Sequence, residues 1–292
     1  MGRPLLLYSV TLLLPVVFAS EFTVVEAPEE AHGVRVAVVD AGAYRFLLAG
    51  SSIVGASFVD SVTEPAFALW EVVGAAVEGM RLGPGRLKAT SVLQLGLGAG
   101  FVPSYLARTR RDVVVDVVEW LPPVTAAARK HFELPASVHV VHGDAADVVA
   151  HPEAWFPVQG GLRRRRYDVL LHDLFLDLEN PSHALTVGVF GDAKTWLSPQ
   201  GALVVSVVST LPPPPRNLAA CVQATLESVF THVQAYRDVP LDVVPDEAAN
   251  LVFVASDGRV ELGPDATAAA RWASAPRLSG AWSAAHYQEW AV

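Results

Sequence analysis

The sequence predicts an α/β fold in which a mostly parallel sheet with flanking helices follows a small antiparallel β-domain. Three observations lead to this prediction. From Ser91 onward, apolar runs alternate with helix-compatible segments, which is the pattern of parallel strands joined by crossover helices. The glycine-rich turn 96-GLGAG-100 joins the first of these runs to a helix. Ahead of it, residues 34–60 form three short alternating runs separated by turn sequences, as in antiparallel hairpins.

Length and composition limit the class of protein. The chain has 292 residues, of which 52% are hydrophobic and 17% charged, and this fits one large α/β domain with a small appendage. A net charge of −9 at pH 7 disfavours a nucleic-acid binder, which would present a basic surface. The single cysteine, Cys221, excludes an intramolecular disulfide and a multi-cysteine zinc site. No metal is expected, and the basic run 163–166 is predicted to be a solvated loop.

We expect four parts along the chain. Residues 1–20 have the composition of a secretory signal peptide, with Arg3 before an apolar core and small residues near Ala19, and that core is short for a membrane span. Cleavage would place the protein in the secretory pathway or outside the cell, without a stable membrane span. An uncleaved anchor or a buried first strand is the alternative, with a cytoplasmic location if no signal operates. The predicted small β-domain covers 21–63, the nucleoside-binding domain 64–258 and a C-terminal tail 259–292.

The elements of the main domain are assigned in chain order. A helix is predicted to open at Glu64–Pro65 and to end at the sequence 83-GPG-85. Pro122 starts another helix, and Asn217 is expected to cap a third. The remaining strands are predicted at 92–95, 113–118, 138–141, 167–173, 202–206, 233–236 and 251–255, with a helix around 193–197.

Acidic residues stand at the carboxyl ends of three predicted strands. Glu119 lies 19 residues beyond Gly100, near the offset of about 20 at which a βαβ nucleotide site places its ribose-binding acid. Asp144 and Asp173 end the next two strands. Ligands of open α/β sheets bind outside these strand ends. The pattern therefore predicts a nucleoside site, although each acid alone could be a solvated loop residue or a helix cap.

Four motifs, QLGLGAG, DVVEWLPPV, VHGDAADV and YDVLLHDLF, resemble the spermidine-synthase-like branch of the class I S-adenosylmethionine-dependent methyltransferase superfamily. This resemblance implies a Rossmann-like, seven-stranded class I methyltransferase sheet preceded by a small antiparallel β-domain. It also implies S-adenosylmethionine, or its decarboxylated form, as the cofactor. By the resemblance, Gly96, Gly98 and Gly100 line the methionine side of the ligand, Glu119 holds the ribose, and Asp144 with Ala145 contacts the adenine. Asp173 matches the acid that orients or deprotonates the attacking amine in aminopropyltransferases.

The sequence also departs from that branch. Ala99 replaces the Asp that holds the amine of decarboxylated S-adenosylmethionine, and the segment Asp173–Asp177 lacks the family's Pro. Gly-Leu-Gly-x-Gly followed by Val-Pro is similar to the C-terminal domain of the elongation-factor-1A N-terminal methyltransferase. We therefore put methyl transfer first, to an amine on a protein or a small molecule. A polyamine aminopropyltransferase and a non-catalytic member of the fold are the alternatives, and the branch suggests a homodimer. His172 is expected to point to the face of the strand opposite Asp173, as a packed or solvent-facing histidine.

Overall fold

The computed structural model describes residues 22–85, 87–156, 159–176, 179–210, 218–237, 248–261 and 273–274. The predicted signal peptide, the predicted cap at Asn217, Asp177 and most of the C-terminal tail lie outside these residues. Within the described ranges, no helix has both the length and the apolar character needed to cross a membrane.

An antiparallel sheet opens the described chain. Its five strands are β1 (Phe22–Ala31), β2 (Val34–Ala41), β3 (Tyr44–Ala49), β4 (Ser52–Phe58) and β5 (Ser61–Pro65), paired in chain order. The sequence predicted β2 to β4 but missed β1 and β5. Strand β1 lies at an edge, is largely exposed, and shifts register on either side of Glu26, so its side chains lack a regular apolar alternation. Glu64 and Pro65 belong to β5 and not to the following helix, which begins at Ala68.

The rest of the chain alternates helices and strands, as predicted. The elements are α1 (Ala68–Gly79), β6 (Arg81–Leu82), β7 (Leu87–Lys88), β8 (Ser91–Leu95), α2 (Phe101–Thr109), β9 (Val114–Glu119), α3 (Pro122–His131), β10 (His139–His142), α4 (Ala145–Ala150), α5 (Pro152–Trp155), β11 (Tyr167–His172), a 3-10 turn (Ser182–Leu185), α6 (Val187–Thr195), β12 (Leu197–Thr210), α7 (Leu218–Val229), β13 (His232–Arg237), β14 (Ala248–Ser256), β15 (Val260–Glu261) and β16 (Ala273–Ser274). Strands β15, β6 and β7 form a small separate sheet.

The main sheet has the order β10-β9-β8-β11-β12-β14-β13, extended by the two-residue β16. The pairs from β10 to β12 are parallel, and the pairs from β12 onward are antiparallel. Chain order reverses at β8, so the crevice beside its carboxyl end is the topological switch point where such sheets bind ligands. The predicted fold class, a Rossmann-like sheet preceded by an antiparallel β-domain, is confirmed.

Both faces of the main sheet are buried. One buried cluster joins β8 and β9 to α2, α3 and the N-terminal sheet through residues such as Val92, Val124 and Leu47. The other lies under α4, α6 and α7, with Phe190 and Trp196 as large members. Continuous apolar runs such as 92-VL-93 and 169-VLL-171 are therefore what a doubly covered parallel sheet requires. Because the N-terminal sheet shares the first cluster, it is packed against the main domain.

A buried carboxylate ties the segment before β11 to β9. Asp116 is fully buried, and its oxygens accept hydrogen bonds from the Arg163 guanidinium, the Arg163 backbone N–H at 2.9 Å and the Tyr167 hydroxyl. Burial beside this carboxylate raises the pKa of the Tyr167 phenol. Arg166 donates to the Leu197 carbonyl at 2.8 Å. Arg163 to Arg166 are exposed and lie outside the helices and strands, as predicted. The sequence did not reveal that the guanidinium groups of Arg163 and Arg166 also bind acceptors of the folded chain.

Candidate active site

A cavity of about 370 Å³ opens at the carboxyl ends of the parallel strands, within the size range of small-molecule sites. Six of the seven site residues predicted from the sequence line it: Gly96, Gly98, Glu119, Asp144, Ala145 and Asp173. Gly100 does not line the cavity. It is the N-cap of α2, with φ 77°, and a side chain there would meet Leu134. Its glycine is required by the turn and by packing.

The order of the strands fixes the order of the polar groups along the cavity. Asp144 follows β10, Glu119 ends β9, the glycine turn follows β8, Asp173 follows β11, and Ser206 lies in β12. Neighbouring strands are roughly 4.8 Å apart. The acids predicted from separate strand ends are therefore brought to one edge, with Asp173 between the Glu119 half of the cavity and the part beyond β11.

The glycine turn is pressed against two other segments. Gly96 and Gly98 have φ values of 86° and 54°, in the region that favours glycine. A Cβ atom on Gly96 would collide with the carbonyl oxygen of Asp173, and one on Gly98 with that of Val54 in β4. These two glycines are thus required by the close approach of protein backbone, a reason that the sequence did not reveal.

Glu119 is only 7% exposed and is held by backbone donors. Its Oε2 accepts from the Leu97 N–H at 2.9 Å, within the glycine turn, and its Oε1 accepts from the Leu121 N–H at 2.8 Å. Burial raises the pKa of this carboxyl, and the backbone N–H groups oppose that rise. Each carboxylate oxygen can accept a second hydrogen bond. Glu119 can therefore bind ribose hydroxyls while it holds the turn in place.

The two carboxylate oxygens of Asp144 have different surroundings. Its Oδ1 caps α4 by accepting from the N–H groups of Ala146 at 2.9 Å and Asp147 at 3.1 Å. Its Oδ2 lies 3.7 Å from Nε2 of His183. His183 also lines the cavity, and it was not predicted because a lone histidine carries no motif. The cap positions the carboxyl at the end of the cavity next to β10.

The N-terminal sheet supplies part of the wall. Ile53 and Val54 of β4 line the cavity. Trp120, which follows Glu119, also lines it, and its ring stacks on His32 from the β1–β2 turn with centroids 5.0 Å apart and an interplanar angle of 9°. The cavity is therefore bounded by both the main sheet and the small antiparallel sheet.

Asp173 accepts hydrogen bonds from two neutral donors. The side chains of Ser206 and Trp70 donate to its carboxylate, and burial raises its pKa from 3.8 to about 6. Its backbone N–H donates to the Leu95 carbonyl at 3.0 Å, which fixes it beside the glycine turn. Trp70 lies in α1, 103 residues earlier in the chain. No sequence signal connects it to Asp173, and the predicted helix gave it no role in the site.

His172 points to the other side of the strand, as predicted. Its Nε2 is 2.9 Å from the Ala184 carbonyl oxygen, while its Nδ1 is buried and has no hydrogen-bond partner within the described residues. Burial lowers its pKa from 6.5 to about 4. The imidazole is therefore neutral at physiological pH and packs beneath the site.

Ala99 does not face the cavity. It is 2% exposed, and its Cβ lies so close to Gly55 of β4 that Gly55 has no room for a side chain. The sequence position at which the resemblance expects an amine-binding Asp is thus occupied by a small packing residue under the N-terminal sheet. Among the described residues, no group of three or more His, Cys, Asp or Glu side chains is arranged to hold a metal ion.

Comparisons with known proteins agree with this geometry at the level of the fold. No protein-family model matches the chain. A polyamine aminopropyltransferase of Vibrio vulnificus is 31% identical over 169 residues, which are 57% of this chain and 50% of that protein. The chain thus spans about half the length of the curated relatives it matches.

Two solved structures are similar over most of this chain. A probable spermidine synthase from Corynebacterium glutamicum has a TM-score of 0.62 and 18% identity, with 81% of this chain and 82% of that chain covered. A spermidine synthase in complex with the transition-state analogue AdoDATO has a TM-score of 0.61 and 14% identity, with 82% and 75% covered. The chain therefore has the spermidine-synthase-like form of the class I methyltransferase fold. The resemblance indicated by the motifs is confirmed at that level.

Proposed function

We propose that this protein is a transferase that moves an alkyl group from a sulfonium nucleoside to an amine. The donor that we favour is decarboxylated S-adenosylmethionine, which would make the reaction an aminopropyl transfer. The observation that carries the proposal is the position of Asp173, a part-buried carboxylate between the Glu119 half of the cavity and its far half. The names of the relatives and of the structural neighbours support aminopropyl transfer over the methyl transfer that the sequence placed first.

The lining residues suit such a donor. Glu119 would accept the ribose hydroxyls with its remaining lone pairs. Asp144 would accept from the adenine amine through Oδ2, with Ala145 against the base, and Trp120 would cover the nucleoside. The backbone at Gly96 and Gly98 would lie close to the sulfonium end of the donor. These assignments agree with the order of the strand ends, which places the acids of β9 and β10 on one side of the glycine turn.

Asp173 would act as the general base. When bound, the sulfonium donor supplies an activated carbon, so that the nitrogen–carbon bond forms as the carbon–sulfur bond breaks and a neutral thioether leaves. Asp173 would hold the incoming ammonium, orient its nitrogen and accept its proton. A pKa of about 6 leaves the carboxyl ionised at neutral pH yet basic enough to take part in proton transfer. Ser206 and Trp70 would keep the carboxylate in position.

Methyl transfer remains the second candidate because of one observation. Ala99 provides no carboxylate for the amine of the decarboxylated donor, and Gly55 fills the space beside it. The intact cofactor differs from the decarboxylated donor by a carboxylate, so the two donors differ in charge at the glycine turn. A direct comparison of the two donors therefore separates the candidates.

The test is calorimetric titration of the full chain with decarboxylated S-adenosylmethionine, intact S-adenosylmethionine and neutral 5′-methylthioadenosine. We expect the decarboxylated donor to bind more tightly than the intact one, and radiolabelled aminopropyl groups to appear on an added amine. Preference for the intact donor, with methyl transfer, would replace our first candidate by the second. Binding of none of the three compounds would refute the transferase proposal.

The pH dependence of binding tests the role of Asp173. Because its raised pKa of about 6 makes it neutral at lower pH, affinity for the cationic donor should rise as pH increases from 5 to 7 and then level off. Affinity for 5′-methylthioadenosine should change little over that range. Asp173→Asn should remove the rise, whereas Asp60→Asn, at an exposed turn, should retain it. The same pH profile in wild type and Asp173→Asn would remove Asp173 from the site.

A further inference from the structure

The half of the cavity beyond Asp173 belongs to a different set of elements from the nucleoside half. Strands β12 and β14 follow β11 in the sheet, on the side away from Glu119 and Asp144. Val207 and Val208 of β12 line this half, together with the loop after β11. If the donor occupies the Glu119 half, the acceptor must reach Asp173 from the β12 side.

Several hydrocarbon side chains line the cavity, and one of them, Trp70, donates a hydrogen bond to Asp173. Phe67, Leu69 and Trp70 line the cavity from α1 and the residue before it, and Leu176 lines it from the loop after β11. The Trp70 ring is fixed edge-on to Phe67, with centroids 5.0 Å apart. These side chains form a surface that a hydrocarbon group could bury.

The polar groups on this side already have partners within the protein. Asn180 donates to the Leu174 carbonyl at 2.9 Å, and its Oδ1 accepts from the Val208 N–H at 3.0 Å. Ser206 donates to Asp173. Asn250 is buried and takes part in an interaction of its own. Among the described lining residues of this half, Asp173 is therefore the charged side chain available to an acceptor.

We infer that the acceptor is a primary amine with an apolar substituent, a monoamine with an alkyl or arylalkyl chain, and that it is bound in preference to a diamine. This inference rests on the proposed transfer reaction. Asp173 pairs with the single ammonium, and the hydrocarbon lies along Phe67, Leu69 and Leu176. In the transfer, the ammonium first loses a proton, the freed lone pair forms the new nitrogen–carbon bond and the carbon–sulfur pair goes to sulfur. The displaced proton goes to Asp173 and from there to water. Among the described lining residues, a second ammonium at the far end of the chain would be buried against apolar walls, which is strongly unfavourable.

The experiment measures the acceptor half by itself. The full chain is saturated with 5′-methylthioadenosine and titrated with n-butylamine, n-pentylamine and n-hexylamine, and then with the diamines of four, five and six carbons. We expect each added methylene to tighten monoamine binding by about fourfold, and n-hexylamine to bind at least tenfold more tightly than 1,6-diaminohexane. Tighter binding of the diamine, no dependence on chain length, or no binding of any amine would overturn the inference.

A pair of variants changes the chemistry of the wall. Leu176→Asp introduces a second carboxylate at a part-exposed position of the cavity and should reverse the preference in favour of 1,6-diaminohexane. Val187→Asp, on an exposed part of α6, should retain the preference of the wild type. A preference for n-hexylamine that persists in Leu176→Asp would contradict the assigned wall.

The outcome is separable from that of the proposed function. If n-hexylamine binds as expected but neither sulfonium donor transfers a group to it, the transferase proposal fails while the cavity's preference for apolar amines stands. If aminopropyl transfer occurs to putrescine in preference to n-hexylamine, the transferase proposal stands and the inference about the acceptor fails.

Discussion

Replacement of Glu119 should damage both the fold and the proposed nucleoside site, because we assign one side chain to both. Glu119→Ala leaves the N–H groups of Leu97 and Leu121 without acceptors, and an orphaned buried donor costs about 1–3 kcal/mol. Two such donors give about 2–6 kcal/mol. Removal of a buried carboxylate whose pKa is raised by burial returns part of that cost. We therefore expect a net loss of about 2–4 kcal/mol in the free energy of unfolding.

The loss in ligand affinity is expected on top of the loss in stability. Ribose hydroxyls that lose a charged acceptor should cost about 1–3 kcal/mol, or about 5- to 150-fold in Kd for 5′-methylthioadenosine. Urea unfolding and calorimetric titration at pH 7.5 measure the two effects separately. Glu119→Gln serves as a second variant of nearly equal shape, in which an amide oxygen replaces one acceptor but the amide N–H₂ faces the other backbone N–H. It should show a smaller effect of the same sign in both measurements.

The control is Glu153→Gln, whose parent side chain is 77% exposed and should leave both measurements unchanged. Wild-type stability in Glu119→Ala would show that the two backbone donors find other acceptors. Wild-type affinity in a folded Glu119→Gln would show that the carboxylate does not contact the ligand. Either result would refute the dual role that we assign to Glu119.

Two further predictions concern residues that pack beneath the site. Ala99→Asp should not create a donor-binding acid, because residue 99 packs on Gly55 outside the cavity; instead it should lower the free energy of unfolding by about 3–5 kcal/mol through an unpaired buried charge. Ala126→Asp, at an exposed position of α3, is the control, and an Ala99→Asp protein that is stable in urea and binds decarboxylated S-adenosylmethionine more tightly would contradict the packing argument. His172 should make stability fall with acidity, since its folded pKa of about 4 lies below its ordinary 6.5 and the unfolded chain takes up the proton first. Its contribution is present above pH 6.5 and is lost as pH falls toward 4, a difference of up to about 3 kcal/mol. Urea titrations from pH 7 to 4 should therefore show a shallower pH dependence in His172→Gln than in wild type, and equal slopes would exclude the assignment.

The main sheet was predictable because strands that are buried on both faces consist mainly of apolar residues. The runs that became β8, β9 and β11 are mainly apolar, with Gln94, Asp116 and Asp168 as polar residues within them. The turn and acids at their ends follow from the general position of ligands in such sheets. Strand β1 was not predictable in the same way. It is an exposed edge strand with register shifts near Glu26, so neither apolar period nor turn residues mark it.

The acids of the candidate site could be predicted from the sequence, but the residues that surround them could not. Glu119, Asp144 and Asp173 are recognised by their positions at strand ends, which is local information. The donors to Asp173 come from α1 and β12, and the wall beside the glycine turn comes from β4, all brought in by tertiary packing. Trp70 in particular is an aromatic helix residue whose sequence context is the same as that of a core residue. The packing of Gly55 over Ala99 likewise depends on a contact between the N-terminal sheet and the main domain.

The close approach of the Val54 carbonyl to Gly98 couples the small antiparallel sheet to the candidate site. Since the Val54 carbonyl lies against the turn, a fluctuation that lifts β4 away also removes one wall of the cavity. A ligand that binds only the closed arrangement must then stabilise that arrangement by its binding free energy. Amide hydrogens of β4, remote in sequence from every acid of the site, should consequently exchange with solvent more slowly when the cavity is filled.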